Sequence, residues 1–338
     1  MKKALRLSVS LVAVGALAAT AATASFSSAR PTAGRGSLPV VGISQLVSAP
    51  ALDDLVKGIK VGLAQRGWVD GKTVTIDVEN ANGDISLAQA IAQKFIGENV
   101  AVLVPITTPA SQVAAKMIGG TNIKMVFAGV SDPVAAGIIA QFGRPTGTNI
   151  TGLYNRNPIE GQMNLAQKID PKIKRLGVIY DAGEANSVSD VARLATIAAQ
   201  KHWKLVKVTV ASSNDVLSAA RSLVGRVDAM YMPQDNTVNA ALDALVKVED
   251  QYKLPLFTGD AQSVGNGAVA TVGQNNVIAG EQAARIIAAV LRGNAPGAIT
   301  PEPILRHQVY INTAAAKIVH LVIPKKILRT AINEAPNK

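Results

Sequence analysis

The chain has 338 residues and no cysteine, and its 34 lysines and arginines exceed its 23 acidic residues, giving a formal net charge of +11. The missing cysteines exclude a disulfide framework and the lipid-anchored form of an exported bacterial protein. The basic residues are scattered and only 4% of residues are aromatic, which argues against nucleic acid as a partner, since such a footprint is a clustered basic stripe with interleaved aromatics.

The first 24 residues have the composition of a cleaved signal peptide. Lys2, Lys3 and Arg6 precede an apolar run, and small residues follow that run. We expect cleavage after Ala24, with Ala21 as the second choice, which lowers the net charge from +11 to +8. A membrane anchor is less favoured, because the run is rich in alanine and polar residues follow it. The sequence therefore predicts a periplasmic protein without a lipid anchor.

A linker at residues 25–39 leads into a first series of alternating strands and helices. Strands are predicted at residues 40–44, 73–78, 100–105 and 124–130. Residues 50–66 are predicted to form a helix, because apolar residues recur there at helical spacing: Leu52, Val56, Ile59 and Leu63. The strand runs are mostly continuous and apolar, as expected for parallel strands with helices on both faces of the sheet.

A second series of the same kind follows the first. Its strands are predicted at residues 150–155, 175–181, 203–210, 227–233, 255–260 and 267–273. The stretch VAVLVPITT, ending at Thr108, matches DAMYMPQDN, ending at Asn236: each is an apolar strand ending in proline, with polar residues two and three positions later. A Phe-x-Gly match at 127–129 and 257–259 comes in the same order. These two matches predict an internal duplication.

Two late segments, a helix at 275–291 and an extended stretch at 302–311, follow the second series. They fit a chain that crosses back into the first lobe and then returns. We therefore predict an α/β protein with two Rossmann-like lobes, each with a parallel sheet, joined by a hinge. The predicted N-terminal lobe is 40–145 plus about 275–305, and the C-terminal lobe is 146–274 plus about 306–338.

Polar residues cluster where the predicted strands end. In open parallel sheets ligands bind at these carboxyl ends. The candidate ligand-binding residues are Ser44, Gln45, Thr107, Thr108, Ser131, Tyr154, Asn186, Ser187, Asp235, Asn236 and Asp260. Thr108 and Asp132 each precede a proline, as helix caps do. Thr107 and Ser131, one position earlier, are therefore the better ligand candidates, and Tyr154 fits either the core or the cleft.

Signatures of enzymes are mostly absent from the sequence. No Gly-x-Gly-x-x-Gly follows the first strand, no Gly-x-Ser-x-Gly occurs, and the Gly-Lys-Thr at 71–73 leads into a strand rather than a helix. The three histidines lie away from the predicted carboxyl ends of the strands. We expect no catalytic residues, no cofactor and no metal site.

Composition also bears on the ligand. Sugar sites commonly use aromatic faces, but Trp68 and Trp203 lie at the starts of strands, at the end of the sheet opposite the cleft. The carboxylate of an amino acid would find donors at Thr107, Thr108 and the helix that follows. Asp260 or Asp235 would then pair with the ammonium group.

Several stretches resemble one known family. They are VGISQLVSAPALDDLVKG, DGKTVTIDVENANGD, AQAIAQKF, PITTPASQVAA, VFAGVSDPVAAG, GVIYDAGEANSV and MPQDNTVNAALDALV. They look like the ABC-transporter substrate-binding family whose members include binders of tryptophan and related aromatic amino acids. The resemblance implies a type I periplasmic binding fold, a small-molecule solute and delivery to an inner-membrane ABC permease with its ATPase. By similarity the candidate residues other than Tyr154 line the cleft, but Gln234 stands where a small hydroxyl is expected.

These observations predict a monomeric extracytoplasmic solute-binding protein of an ABC importer, whose solute is an amino acid, aromatic or branched. Three alternatives stay open: a ligand-binding partner of a membrane sensor, a binder of a sugar or nucleoside-like solute, and an exported enzyme. The enzyme alternative lacks a catalytic base and a cofactor site in the sequence. A sugar-responsive repressor is disfavoured because a leader stands where its DNA-binding helices would be.

Overall fold

The computed structural model describes residues 37–335. The predicted signal peptide and residues 25–36 of the predicted linker lie outside the described residues. Residues 38–335 form two α/β lobes, each built on its own sheet. Among the described residues, none of the helices has the length and apolarity needed to cross a membrane.

The sheet of the first lobe has six strands, all parallel. They are β1 (Val40–Gln45), β2 (Thr75–Asn80), β3 (Val102–Ile106), β4 (Met125–Val130), β5 (Ile150–Tyr154) and β11 (Glu302–Pro303). Their order across the sheet is β11-β5-β4-β3-β1-β2. β3 and β5 are buried along their whole length, as the apolar sequence runs predict for strands with helices on both faces.

Four long helices cover this sheet: α1 (Pro50–Ala64), α2 (Ile85–Gly97), α3 (Thr108–Met117) and α10 (Asn276–Leu291). α1 and α10 pack on one face, where Ile59 and Ile287 are fully buried. α2 and α3 pack on the other face, where Phe95 is fully buried. Because α10 comes from late in the chain, the first lobe has a core assembled from two distant segments.

The sheet of the second lobe has seven strands. They are β6 (Arg175–Asp181), β7 (Lys204–Val210), β8 (Ala229–Met232), β9 (Leu256–Thr258), β10 (Ala270–Gly273), β12 (Gln308–Ile311) and β13 (Ile332–Asn333). Their order is β13-β12-β10-β9-β8-β6-β7. β12 pairs antiparallel with β10, and the other pairs are parallel. The predicted parallel sheet is therefore extended at one edge by two strands that run the other way.

Helices cover both faces of the second sheet as well. They are α4 (Ile159–Ile169), α5 (Ala185–Gln200), α6 (Val216–Leu223), α7 (Asn236–Asn239), α8 (Leu242–Tyr252), α9 (Gln262–Gly265), α11 (Thr313–Ile318) and α12 (Lys325–Leu328). A single 3-10 turn lies at Ser213–Asp215, and another, at Pro296–Ala298, contacts β5 of the first lobe. α4 and α5 pack on one face, around Tyr231, and α6 and α8 pack on the other, around Leu256.

One predicted boundary between the lobes was wrong. The C-terminal lobe was predicted to begin at residue 146, but β5 pairs with β4 in the first sheet. The chain therefore leaves the first lobe after Tyr154 rather than at 145. The apolar run of β5 identifies a strand but carries no information about which sheet it joins, because both sheets bury their strands in the same way.

Three segments connect the lobes: residues 155–158 between β5 and α4, residues 274–275 between β10 and α10, and residues 304–307 between β11 and β12. Three short crossings of this kind allow hinge movement of two compact lobes about a cleft.

α1 and α10 meet backbone to backbone. A Cβ at Gly58 would lie 2.1 Å from the carbonyl oxygen of Val277, and a Cβ at Gly280 would lie 2.2 Å from that of Leu55. No side chain fits at either position without moving a helix. These two glycines therefore hold the start of α10 directly against the part of α1 that faces the cleft.

Candidate functional site

A cavity lies between the two lobes, at the carboxyl ends of the strands in both sheets. The room that it leaves for the centre of a water-sized sphere is about 60 Å³, which is more than a single water molecule needs. It is lined by Ala51, Leu52, Leu55, Thr108, Gly129, Ser131, Asn155, Asn186, Pro233, Gln234, Asp235, Asn236, Asn239, Asp260, Gln274 and Asn276. Most of these side chains are hydroxyls, amides or carboxylates, and the apolar ones come largely from α1.

Side chains from the two lobes are hydrogen-bonded to each other around the cavity. Ser131 Oγ, after β4, donates to Gln234 Oε1 of the second lobe at 3.2 Å. Gln262 Nε2, on α9, donates to Asp54 Oδ2 of α1 at 3.3 Å. The lobes are therefore in a closed arrangement.

Gln234 bridges the cleft from the second lobe. Its Oε1 also accepts from Asn155 Nδ2 at 2.8 Å, and its Nε2 donates to the carbonyl oxygen of Gly259 at 3.1 Å. A Cβ at Gly259 would lie 3.0 Å from Gln234 N and 3.1 Å from Gln234 Cγ. The glycine of the second Phe-x-Gly thus makes room for the side chain that closes this end of the cavity.

The helix at the first lobe's rim has no side-chain cap. α3 begins at Thr108, and its N-cap is Thr107, with φ 87° and ψ 164°. This conformation is rare for a residue with a side chain. Thr107 Oγ1 is buried and forms no hydrogen bond with any residue that the structure describes. The first N–H groups of α3 therefore keep no side-chain acceptor.

Ser131 and Asp132 have separate roles. Ser131 lines the cavity, whereas Asp132 Oδ1 accepts from Ala135 N at 2.9 Å, as a cap would. Residues 133–137 form turns rather than the expected α-helix. Asp132 therefore closes a turn, and Ser131 is left to face the cleft.

The helix at the second lobe's rim is fully capped. Asp235 is the N-cap of α7, and its carboxylate accepts from Val238 N at 2.8 Å, from Ser187 Oγ at 2.7 Å and from Asp181 N at 2.6 Å. Glu184 adds to this network by accepting from Asn236 N at 3.1 Å. Burial, together with the charge of Glu184, raises the pKa of Asp235 above its usual range.

Asp260 is the second carboxylate at the cavity. Burial raises its pKa, although hydrogen bonds from Ser263 oppose the shift by stabilising the charged form. Its Oδ2 accepts from Ser263 Oγ at 2.6 Å and its Oδ1 from Ser263 N at 2.9 Å. Both carboxylates at the cavity therefore already have protein donors.

Three amide oxygens at the cavity have no donor. Asn155 Oδ1, Asn186 Oδ1 and Gln274 Oε1 are buried and accept no hydrogen bond within residues 37–335. Leaving such an acceptor unpaired costs about 1–3 kcal/mol. All three lie in side chains that line the same cavity, so a solute that donates hydrogen bonds would recover this cost.

The orientation of each amide is set by its other partner. Asn186 Nδ2 donates to the Glu184 carboxylate at 3.0 Å and to the carbonyl oxygen of Gln234 at 2.7 Å. Both partners only accept. Asn155 Nδ2 donates to Gln234 Oε1, and the orientation of Gln234 is fixed because its Nε2 donates to the carbonyl oxygen of Gly259. The free atoms of Asn155 and Asn186 must therefore be oxygens.

The family model described as ABC transporter substrate binding protein matches residues 40–334. The chain belongs to this family. The fold, a pair of α/β lobes around a cleft, is that of a periplasmic binding protein, and the family binds small molecules rather than transforming them.

Two relatives give this substrate-binding protein further context. It is 32% identical to the tyrosine-binding protein of Clostridioides difficile over 281 residues, which is 83% of this chain and 81% of the relative. It is 27% identical to a Streptococcus pneumonia ABC domain in complex with L-Trp, covering 88% of this chain and all (100%) of that one with a TM-score of 0.83.

A third relative bears on the closed arrangement. A ligand-free, open structure of a Clostridium difficile substrate-binding protein with adhesive properties is 29% identical, covering 88% of this chain and 99% of that one, with a TM-score of 0.66. The identity is close to that of the L-Trp complex, yet the structural agreement is lower. The cross-lobe hydrogen bonds of the present substrate-binding protein describe a closed cleft.

The structure brings six of the eleven predicted site residues to the cavity: Thr108, Ser131, Asn186, Asp235, Asn236 and Asp260. The other five do not line it. Gln45 Nε2 donates to Asp53 and Ser187 to Asp235, while Ser44 lies buried at the end of β1. Tyr154 packs on Phe142 in the core with ring centroids 5.0 Å apart. Thr107, the expected ligand candidate, is the N-cap of α3, whereas Thr108, the expected cap, lines the cavity.

Several residues that line the cavity of the substrate-binding protein were not among the predicted site residues. They are Asn155, Gln234, Asn239, Gln274 and Asn276 among the polar ones, and Ala51, Leu52, Leu55, Gly129 and Pro233 among the others. Gln274 and Asn276 follow β10, so the rule that ligands bind at the carboxyl ends of strands would have found them. Asn155 directly follows Tyr154, the neighbour that was chosen instead.

Proposed function

We propose that this substrate-binding protein binds an aromatic amino acid in the cleft between its lobes and delivers it to an ABC permease from the periplasm. The observation that carries the proposal is the set of three unpartnered amide oxygens. An α-ammonium group carries three N–H donors and a positive charge, and it would satisfy acceptors that no protein group reaches.

Charge supports the same assignment. Asp260 lies on the cavity wall with the amide oxygens, and a carboxylate has room for more than the donors it already holds. A positive group bound nearby would stabilise its charged form against the effect of burial. A neutral sugar would supply hydroxyl donors but would not compensate this buried negative charge.

The opposite end of an amino acid requires donors. Thr108 lines the cavity at the first turn of α3, where the helix dipole favours negative charge. Because α3 lacks a side-chain cap, an incoming carboxylate would meet unpaired N–H groups rather than displace a bound side chain. Ser131 lies on the same lobe, and its hydroxyl proton is donated to Gln234 Oε1 in the closed cleft.

An apolar side chain fits the remaining wall. Leu52, Leu55 and Pro233 line the cavity, and Leu55 is almost fully buried. Aromatic rings bury a large apolar area and gain correspondingly from such a wall. The names of two relatives, one a tyrosine-binding protein and the other solved with L-Trp, favour an aromatic solute over a branched aliphatic one.

Calorimetric titration of the purified protein, unfolded and refolded to remove any bound solute, tests the assignment. We expect L-tyrosine or L-tryptophan to bind at least tenfold more tightly than L-leucine, and glucose and myo-inositol to give no heat of binding. A preference for a sugar or nucleoside over every amino acid would refute the proposal. Loss of uptake of the bound amino acid in cells lacking this protein would test delivery to a permease.

Export to the periplasm and the monomeric state are parts of the same proposal. The N-terminal leader motivates the first. Cell fractionation with mass spectrometry of the mature N-terminus should find the protein in the periplasm, cut after Ala24 or Ala21. Light scattering of the purified protein should give the mass of one chain.

A further inference from the structure

A chain of amide groups runs from Asp54 to the cavity. Gln262 Nε2 donates to Asp54 Oδ2 at 3.3 Å, Asn276 Nδ2 donates to Gln262 Oε1 at 2.9 Å, and Gln274 Nε2 donates to Asn276 Oδ1 at 3.1 Å. Gln274 Oε1, at the end, is one of the three unpartnered oxygens. We call these four side chains the amide relay.

The relay has a fixed direction. A carboxylate can only accept hydrogen bonds, so the Gln262 group that faces Asp54 must be its NH₂. Gln262 then presents its oxygen to Asn276, which forces Asn276 to present its oxygen to Gln274. Each amide passes the constraint to the next. The oxygen that Gln274 turns to the cavity is therefore determined by a carboxylate that does not line the cavity.

Close helix packing makes the relay possible. Asp54 lies on α1 and Asn276 is the first residue of α10, and the two helices meet through Gly58 and Gly280 without intervening side chains. Gln262, on α9 of the second lobe, inserts its amide between them. The relay is complete only when the lobes are closed, because two of its hydrogen bonds join residues of different lobes.

We propose that Asp54 is a positioning residue for solute selection: through the amide relay it holds Gln274 with its oxygen toward the solute, so that the closed cleft favours a solute with an ammonium group. This inference rests on the proposed function. Asp54 does not contact the solute, and its effect is exerted through the orientation of Gln274.

Replacing the carboxylate by an amide removes the constraint. In Asp54→Asn, the new NH₂ group can donate to Gln262 Oε1, after which Gln262 donates to Asn276 and Asn276 donates to Gln274. Every amide is then turned round and every hydrogen bond is kept. Gln274 would present NH₂ to the ammonium group, an unfavourable pairing.

The test compares L-tyrosine with its deaminated analogue, 3-(4-hydroxyphenyl)propanoic acid, by calorimetry on the full protein. We expect Asp54→Asn to weaken L-tyrosine binding about tenfold or more and to change binding of the analogue less than threefold. Asp54→Glu, which also only accepts, should restore the wild-type ratio of the two affinities. A purely structural role for Asp54 would weaken both compounds alike.

Asp53→Asn is the matched control, with the same change of charge one residue away on α1. Asp53 accepts from Gln45 Nε2 at 2.7 Å and Ser48 Oγ at 2.8 Å and takes no part in the relay, so its affinity ratio should stay at the wild-type value. If Asp54→Asn changes both affinities equally, or neither, the relay role is overturned while the amino-acid assignment stands. If the wild-type protein binds neither compound or prefers the analogue, the role assigned to Asp54 falls; failure to bind any aromatic amino acid also removes the proposed function.

Discussion

In each lobe one helix begins at the cavity. The two helices begin at matching sequence positions but are capped differently. Thr107 and Asp235 each stand two positions after a proline, and each is the N-cap of a helix at the cavity, α3 or α7. Asp235 caps its helix with its carboxylate, whereas Thr107 caps nothing. The first lobe therefore offers free donors to the cleft, and the free acceptors come from the second lobe and the crossing segments. This asymmetry suits a solute with opposite charges at its two ends.

The buried acidic residues are also distributed unevenly between the two lobes. Among the described residues, the carboxyl groups whose pKa burial raises are Asp190, Asp235, Glu249 and Asp260, and all four belong to the second lobe. The first lobe instead has its closest backbone packing at Gly58 and Gly280. The comparison thus predicts that packing changes affect the first lobe most and pH affects the second.

The largest effect is expected from adding one methyl group to the first lobe's helix contact. Gly280→Ala should lower the free energy of unfolding by about 3 kcal/mol, because its Cβ would lie 2.2 Å from Leu55 O. The matched change in the second lobe is Gly161→Ala on α4, where the nearest atom would be 3.8 Å away. That variant should gain about 0.5–1 kcal/mol, the helix preference for alanine. Urea unfolding measures both, and equal effects would contradict the distinction between the lobes.

The pH dependence of stability should be reduced by a change at Asp190. Burial raises the pKa of Asp190 from 3.8 to about 6, against a hydrogen bond from Asn157 and the charge of Arg193. The folded state thus binds this proton more tightly than the unfolded state. The protonated carboxyl therefore contributes fully to the free energy of unfolding below about pH 4, and this contribution falls as the pH rises and is lost above about pH 6.

Through this group the wild-type free energy of unfolding should fall by about 2 kcal/mol between pH 4 and pH 7, and Asp190→Asn should abolish that fall. Chemical unfolding at both pH values gives the difference directly. Asp243→Asn, at an exposed carboxylate on α8 of the same lobe, should keep the wild-type pH dependence. An unchanged slope in Asp190→Asn would show that this group does not titrate in that interval.

The smallest effect concerns the strained cap itself. Thr107→Gly should raise the free energy of unfolding by about 1 kcal/mol, because φ 87° and ψ 164° suit glycine. Ala49→Gly is the control: Ala49 is also an N-cap without a side-chain hydrogen bond, but its φ is −152°. There glycine should only lower stability, through its greater freedom in the unfolded chain. If both variants lose stability, Thr107 stores no strain.

Much of the fold could be predicted because it depends on local patterns. Apolar runs located the strands, and the rule for parallel sheets directed attention to the correct edge, so residues such as Thr108 and Asn186 were found. The proline after Thr108 also located the start of α3, although the cap was assigned to Thr108 rather than Thr107, and Asp235 was predicted only as a ligand residue. These features need only neighbours in sequence.

The rest depends on contacts between distant residues. Ser131 and Gln234 meet across 103 positions, and no periodicity encodes which amide reaches the opposite lobe. The sheet joined by β5 and the core position of Tyr154 also follow from tertiary packing rather than from local sequence. The orientation of the Gln274 side-chain oxygen could not be predicted for a further reason, because it depends on three other side chains.

The dispersed construction of the first lobe has a consequence for folding. Gln262 and Asp54, which join α9 to α1, are 208 positions apart, and α10 follows later still. A chain that emerges N-terminus first has α1 long before its partner helix exists. Closing contacts across such distances is slow. We therefore expect the first lobe to finish after most of the second sheet, so that the binding cavity is among the last features of the molecule to form.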